Sequence, residues 1–163
     1  MRQISVIGIV LVVLALIGLA DSAYLTFEHY RDAPPVCIIS DSPILGVFDN
    51  CGKVTTSKYA EIFNIPLAVL GVAYYAAALV LALFLTRRRA VVPLVLLAVV
   101  TSLGFIASVW FVYLQIAVIG ALCLYCIISA GATTGLAALS WGMYLRLDRL
   151  DVRAAEALAD PSV

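Results

Sequence analysis

Residues 90–145 have the sequence AVVPLVLLAVVTSLGFIASVWFVYLQIAVIGALCLYCIISAGATTGLAALSWGMYL, a stretch of 56 residues without a charged side chain. As a single α-helix this stretch would be ~84 Å long, whereas the hydrocarbon core of a bilayer is ~30 Å thick. It therefore predicts two membrane-spanning helices joined by a turn, which we place around residues 115–120.

The whole chain has the composition of a membrane protein. Of its 163 residues, 64% are hydrophobic and 12% are charged, whereas soluble domains have ~45–50% apolar and ~25% charged residues. Ten basic and ten acidic side chains balance each other, which excludes the basic surface of a nucleic-acid-binding protein. With two earlier apolar runs, the sequence predicts an all-α integral membrane protein. We expect residues 1–145 to form a four-helix bundle domain with spans at about 4–27, 64–86, 91–114 and 121–145.

The arginines predict the orientation, because cytoplasmic segments are enriched in basic residues. The loop of about residues 29–63 carries few basic side chains and is predicted to face outward. We expect a multi-pass protein of the inner (plasma) membrane with both termini, including the tail 146–163, in the cytoplasm. An N-terminal signal peptide is the alternative, although the first apolar run exceeds the usual ~7–15 residues. With both termini in the cytoplasm, seven arginines lie on the inner side: Arg2, Arg87, Arg88, Arg89, Arg146, Arg149 and Arg153.

All four cysteines fall on the predicted outer side, where disulfides persist. Cys37 and Cys51 lie in the long loop, and Cys123 and Cys126 form a C-x-x-C motif at the start of the fourth span. The first cysteine of such a motif lies nearer the positive end of the helix, which favours its thiolate. We therefore interpret Cys123 as the attacking thiol and both pairs as redox-active.

Other interpretations of the cysteines stay open. Zinc sites built from four cysteines usually contain two closely spaced pairs, whereas Cys37 and Cys51 are far apart in sequence. We therefore expect no metal site. A purely structural disulfide closing this loop of ~15 residues would stabilise the fold by ~3 kcal/mol. Buried free cysteines also pack as small hydrophobic residues. The alternative to an enzyme is therefore a non-catalytic tetraspan interaction protein with one structural disulfide.

Electrons that enter these thiols need an acceptor. The sequence contains no Gly-rich dinucleotide motif, the usual mark of a nicotinamide site. A lipid-soluble quinone reaches a membrane bundle directly, and we expect ubiquinone or menaquinone.

Several motifs over residues 4–145 resemble, in order and position, the bacterial homologues of vitamin K epoxide reductase. They are Ser22-Ala-Tyr24-Leu25-Thr26, Cys37, Cys51-Gly-Lys-Val54-Thr-Thr-Ser57-Lys-Tyr59, Ile65-Pro66, Leu70-Gly71 and Cys123-Leu-Tyr-Cys126. The resemblance implies a four-helix bundle around a quinone, capped by a loop with a short half-helix near residues 54–61. It also implies that Cys37 and Cys51 form the shuttle pair and Cys123 and Cys126 the quinone-side pair.

The resemblance indicates quinone contacts as well. Ser57 matches a family serine expected near the quinone head, although its side chain is equally suited to capping the backbone. Tyr125 and Phe63 are further candidates. An interfacial tyrosine facing lipid and plain core packing are the respective alternatives.

Two residues depart from the family pattern. Asn64 stands where glycine is usual before Ile-Pro, and asparagine also tolerates left-handed backbone. Ala130 stands where the mammalian enzymes have a tyrosine, which weakens the alternative of vitamin K quinone or epoxide reduction.

The resemblance therefore implies a quinone-linked thiol-disulfide oxidoreductase. No thioredoxin domain follows the fourth span, so a separate extracytoplasmic thioredoxin-fold protein is the expected partner. Electrons would pass from this partner to Cys37 and Cys51, then to Cys123 and Cys126, and finally to quinone, supporting disulfide formation.

Overall fold

The computed structural model describes residues 2–31, 35, 51–62, 64–87 and 91–159. The expectations for Cys37, Phe63, Arg88 and Arg89 lie outside these residues. In chain order the elements are α1 (Arg2–Tyr30), α2 (Cys51–Thr55), β1 (Glu61–Ile62), β2 (Ile65–Pro66), α3 (Leu67–Arg87), α4 (Val91–Tyr113), a π-helical segment (Leu114–Ile119) and α5 (Leu124–Ala159).

Within the part of the chain that the structure describes, four helices are long and apolar enough to cross a membrane, which confirms the predicted membrane bundle. In the structure the spans are Val6–Tyr30, Leu67–Arg87, Val91–Ile119 and Leu124–Leu147. The third span is the longest because the π-helical segment continues α4. The chain is therefore a multi-pass membrane protein.

The bundle has an up-and-down arrangement in which α1 packs against α3 and α5, and α4 packs against α3 and α5. This brings the last turns of α1 and α4 together with the first turns of α3 and α5. We call this the cysteine end of the bundle, because Cys51, Cys123 and Cys126 belong to it.

Small residues let the helices approach closely, as is usual between membrane helices. A Cβ atom on Gly18 of α1 would clash with the ring of Tyr75 on α3. The Tyr75 side chain is fully buried. Its hydroxyl donates to the Ser129 carbonyl at 2.7 Å and also contacts the hydroxyls of Ser129 and Thr133, each at 2.8 Å. Tyr75 thus connects α3 to α5 through the core.

The reversal before α5 begins at the last residue of the predicted turn at residues 115–120. Leu114–Ile119 stays helical with π geometry, and the chain turns at Gly120, which has a left-handed φ of 63°. The Ala121 N–H donates to the Gln115 carbonyl at 3.1 Å and closes the end of this segment. The chain turns at Gly120 and not earlier because glycine is the residue that adopts left-handed backbone most easily.

The half-helix lies earlier than predicted. It is α2, Cys51–Thr55, rather than residues 54–61. Beyond it, the hydroxyls of Thr55, Thr56 and Ser57 donate to the carbonyls of Cys51, Gly52 and Val54. Such side-chain hydrogen bonds compete with helix continuation, which explains the early end.

A short antiparallel hairpin follows α2. Its strands β1 and β2 pair Ile62 with Ile65 and Glu61 with Pro66. Asn64 in the turn has a φ of 62°, so it adopts the left-handed backbone that we expected it to tolerate. Because Pro66 belongs to β2, α3 begins at Leu67 rather than at the Ile-Pro pair.

Candidate active site

A cavity of about 790 Å³ opens at the cysteine end. This volume lies within the ~300–1,000 Å³ of typical small-molecule sites. The helices α1, α3 and α5, the end of α4 with the π-helical segment, α2 and the hairpin all contribute to its walls. Most of the lining is apolar, and its polar groups include Asp21, Ser57, Tyr74, Gln115, Cys126 and Ser129.

The three described cysteines lie beside this cavity and differ in their burial and in their contact with it. Cys51 and Cys123 are fully buried and share one cluster with Val54 and Ala121. Cys126 packs against that cluster and also lines the cavity. Cys51 is disulfide-bonded, whereas Cys123 and Cys126 are free thiols. A path from Cys51 through Cys123 to Cys126 therefore leads from the buried cluster to the cavity.

The backbone around Cys123 is held by Gln115. The Cys123 N–H donates to the Gln115 side-chain oxygen at 2.9 Å. Gln115 is itself buried, and the π-helical segment carries it to this position. Segments of π-helix occur frequently at functional sites, and here the segment fixes the start of the C-x-x-C motif.

The surroundings of Cys123 favour its thiolate form. A hydrogen bond with the Cys126 thiol lowers the pKa of Cys123, and the backbone N–H groups of Cys126 and Tyr125 act in the same direction. Burial opposes this shift but is outweighed. The direction agrees with the expectation from the helix N-terminus, because the thiolate is the nucleophilic form of cysteine.

The two described candidates for quinone contact, Ser57 and Tyr125, differ in their position relative to the cavity. Ser57 lines the cavity, and its hydroxyl donates to the Val54 carbonyl at 2.8 Å, so it also caps α2. Tyr125 is not among the described residues that line the cavity. Its ring lies 5.1 Å from the ring of Tyr24.

Sequence reasoning did not identify Asp21 and Gln115 as site residues. Asp21 is the one acid inside the first apolar run, and Gln115 is an isolated amide in the uncharged stretch. Ionisable and polar side chains within membrane helices usually face a cavity or a partner. That signal was present, whereas the position of Tyr74 in the cavity wall had no counterpart in the sequence pattern.

Two comparisons with known proteins agree with this geometry. A family model described as the vitamin K epoxide reductase family matches residues 9–141, which contain all four cysteines. The chain is also similar to the thiol-disulfide oxidoreductase LTO1 of Arabidopsis thaliana, with 32% identity over 118 residues. The match covers 68% of this chain and 29% of that protein, so the chain spans less than a third of its relative's length.

Proposed function

This chain belongs to the vitamin K epoxide reductase family, and we propose that it is the quinone-linked member that reoxidises an extracytoplasmic thioredoxin-fold protein. It is an oxidoreductase acting on thiols. In the proposed reaction, electrons enter at Cys37 and Cys51, pass to Cys123 and Cys126, and leave to a membrane quinone. Disulfide formation in the partner is the result.

The shared burial of Cys51 and Cys123 carries this proposal. Thiol-disulfide exchange passes through a mixed disulfide, so the two reacting sulfur atoms must meet directly. The cluster brings Cys51 and the C-x-x-C motif together, and Cys123 is the member of that motif which shares it. We therefore assign Cys51–Cys123 as the internal bridge, with Cys37 facing the partner and Cys126 facing the quinone.

The cavity has the size and chemistry for a quinone head group. It combines apolar walls with the Tyr74 hydroxyl and with a buried oxygen atom, Asp21 Oδ2, that makes no hydrogen bond within the described part of the chain. Buried polar atoms of this kind normally have partners. A quinone, as the oxidising substrate, accepts two electrons and two protons and presents two carbonyl oxygens to such groups. Ubiquinone and menaquinone both satisfy these requirements.

Quinone rather than epoxide is the proposed substrate. Ala130, which stands where the mammalian enzymes have a tyrosine, lines the cavity. Its methyl group offers an epoxide no hydroxyl. The alternative of epoxide reduction therefore receives no support at this position.

The proposed orientation puts the cysteine end on the outer face of the inner membrane. The basic residues Arg87, Arg146 and Arg149 belong to the other end of the bundle, by their positions at the end of α3 and in the last part of α5. Cytoplasmic segments are rich in such residues. Both termini are then cytoplasmic, and the loop cysteines face an oxidising compartment.

Anaerobic quinone reduction by the purified full-length protein tests the proposal. We expect the ultraviolet spectrum of a short-chain quinone to change to that of the quinol when a reduced thioredoxin-fold protein is supplied, and not when it is withheld. Cys126→Ser should abolish the change, whereas Ile128→Val, an exposed position on the same helix, should leave it intact. A protein that binds the partner and transfers no electrons would be the non-catalytic tetraspan alternative.

A further inference from the structure

Asp21 places a carboxyl group inside a membrane span. It lies on α1 within the span Val6–Tyr30 and lines the cavity. Its Oδ2 atom is buried and makes no hydrogen bond with any residue that the structure describes. The ion pair between His29 and Glu61, with 3.5 Å between Nε2 and Oε1, involves two other residues of the cavity wall and not Asp21.

The surroundings favour the neutral, protonated form of this carboxyl group. Among the described residues, the titratable groups Tyr75 from α3 and Cys123, Tyr125 and Cys126 around the start of α5 lie near Asp21. None of these groups carries a positive charge in any protonation state. An unpaired carboxylate in an apolar environment is costly, and such a group takes up a proton instead. Asp21 is thus an acid with a transferable proton on the cavity wall.

We propose that Asp21 is the proton-transfer residue of the cavity, which donates a proton to a quinone oxygen and recovers one from the C-x-x-C thiols. This inference rests on the proposed quinone reduction. Asp21 and Cys126 line the same cavity, so a bound quinone lies between the source of the electrons and a source of protons. Tyr74 also lines it, but a phenol, with an ordinary pKa of ~10, gives up its proton far less readily than a carboxyl group, at ~3.9.

The proposed step is balanced without a further reactant. Formation of the Cys123–Cys126 disulfide breaks two S–H bonds and releases two electrons and two protons. The quinone gains both electrons, and each of its oxygens gains one proton. Asp21 gives a proton to one oxygen and takes one of the protons released by the thiols, so it ends in its initial state.

Infrared difference spectroscopy and single-turnover kinetics test this role separately. Quinone addition to the oxidised protein should shift the C=O band of a protonated carboxyl group. Asp21→Asn should remove that band, Asp21→Glu should move it, and Glu28→Gln, which removes another acid of α1, should leave it in place. In the second assay, protein with a reduced C-x-x-C motif is mixed with quinone. We expect Asp21→Asn to be slower by roughly 10²–10⁴-fold, the usual contribution of general acid–base catalysis.

The outcomes distinguish this inference from the proposed function. If the unmutated protein does not reduce quinone, the proposed function fails. If it does, and Asp21→Asn reduces quinone at the same rate, only the role of Asp21 is overturned. Oxidised Asp21→Asn should still accept electrons from the reduced partner at the unmutated rate, which controls for its folding. If Asp21→Asn does not fold, the spectra decide: a band shift that moves with Asp21→Glu supports the role, and no shift on quinone addition overturns it.

Discussion

Cys51 on α2 and Cys123 immediately before α5 are both fully buried in one cluster, although they are far apart in sequence. Val54 and Ala121 complete the cluster, so α2 contacts the end of the bundle through the same side chains that surround both cysteines. The position of α2 therefore determines where Cys51 lies relative to Cys123.

The first prediction concerns the internal bridge. The double variant Cys37→Ser/Cys126→Ser keeps only Cys51 and Cys123, and it should form an intramolecular disulfide readily under mild oxidation, because these residues share a cluster. Peptide mapping without reduction identifies the bridge.

The matched double variant Cys51→Ser/Cys126→Ser keeps Cys37 and Cys123 instead. We expect it to oxidise much more slowly and to form intermolecular dimers. A faster intramolecular bridge in this variant would reverse the roles assigned to the two loop cysteines, while the route to quinone could still hold.

The second prediction concerns the Cys123 thiolate. Because Cys126 holds the pKa of Cys123 below its ordinary value, ultraviolet thiolate absorbance should develop at a lower pH than for a free cysteine. Cys126→Ala should move this titration to higher pH. Within the window between the lowered folded pKa and the ordinary unfolded pKa, the unfolded chain binds more protons, so stability should rise with pH. A titration that Cys126→Ala leaves unchanged would contradict the assigned cause.

The third prediction concerns Gln115. Gln115→Leu removes the acceptor of the Cys123 N–H and leaves a buried donor without a partner. We expect the free energy of unfolding to fall by about 1–3 kcal/mol. Ile116→Val, at an exposed position of the same π-helical segment, should change it by less than ~0.5 kcal/mol. Equal effects of the two variants, measured by detergent-induced unfolding, would show that Gln115 only fills space.

Much of the bundle and part of the site could be predicted from the sequence. Hydropathy identifies the spans because membrane helices need long apolar runs. The left-handed backbone of Asn64 was expected because asparagine tolerates this conformation. The π geometry at Gln115 could not be predicted, since it depends on how Gly120 ends the segment and not on residue periodicity. The early end of α2 depends on three successive hydroxyl groups from Thr55 to Ser57, each of which is unremarkable alone. Asp21 was obscured because hydropathy averages it into an apolar run.

The fourth prediction concerns the contact between α1 and α3. Gly18→Ala should destabilise the bundle by about 1–3 kcal/mol, because its methyl group would overlap the Tyr75 ring. Tyr75→Phe should cost about 1–2 kcal/mol, since Ser129 and Thr133 lose their shared partner. Gly142→Ala is the control, because a methyl group there meets nothing within 4 Å among the described residues. Thermal unfolding that ranks Gly142→Ala with Gly18→Ala would refute this packing argument.

The fifth prediction concerns orientation. In a chain whose native cysteines are replaced by serine, a cysteine introduced by Lys58→Cys should react with a membrane-impermeant thiol reagent added to intact cells. The matched Arg149→Cys variant should react only after the cells are permeabilised. Both native side chains are exposed, so access to the reagent depends on the side of the membrane. The reverse pattern would invert the bundle and remove the extracytoplasmic partner from the proposal.

The burial of Cys51 and Cys123 also bears on side reactions. A dissolved small thiol or a peroxide molecule reaches a sulfur atom that has no surface exposed to solvent more slowly than it reaches an exposed one. In the proposed electron path, such molecules therefore take electrons from Cys51 and Cys123, or supply electrons to them, less readily. Futile cycling is then suppressed by burial rather than by redox potential. In the proposed reaction, selectivity among thiol donors is therefore decided where the partner protein docks, before any electron reaches the membrane.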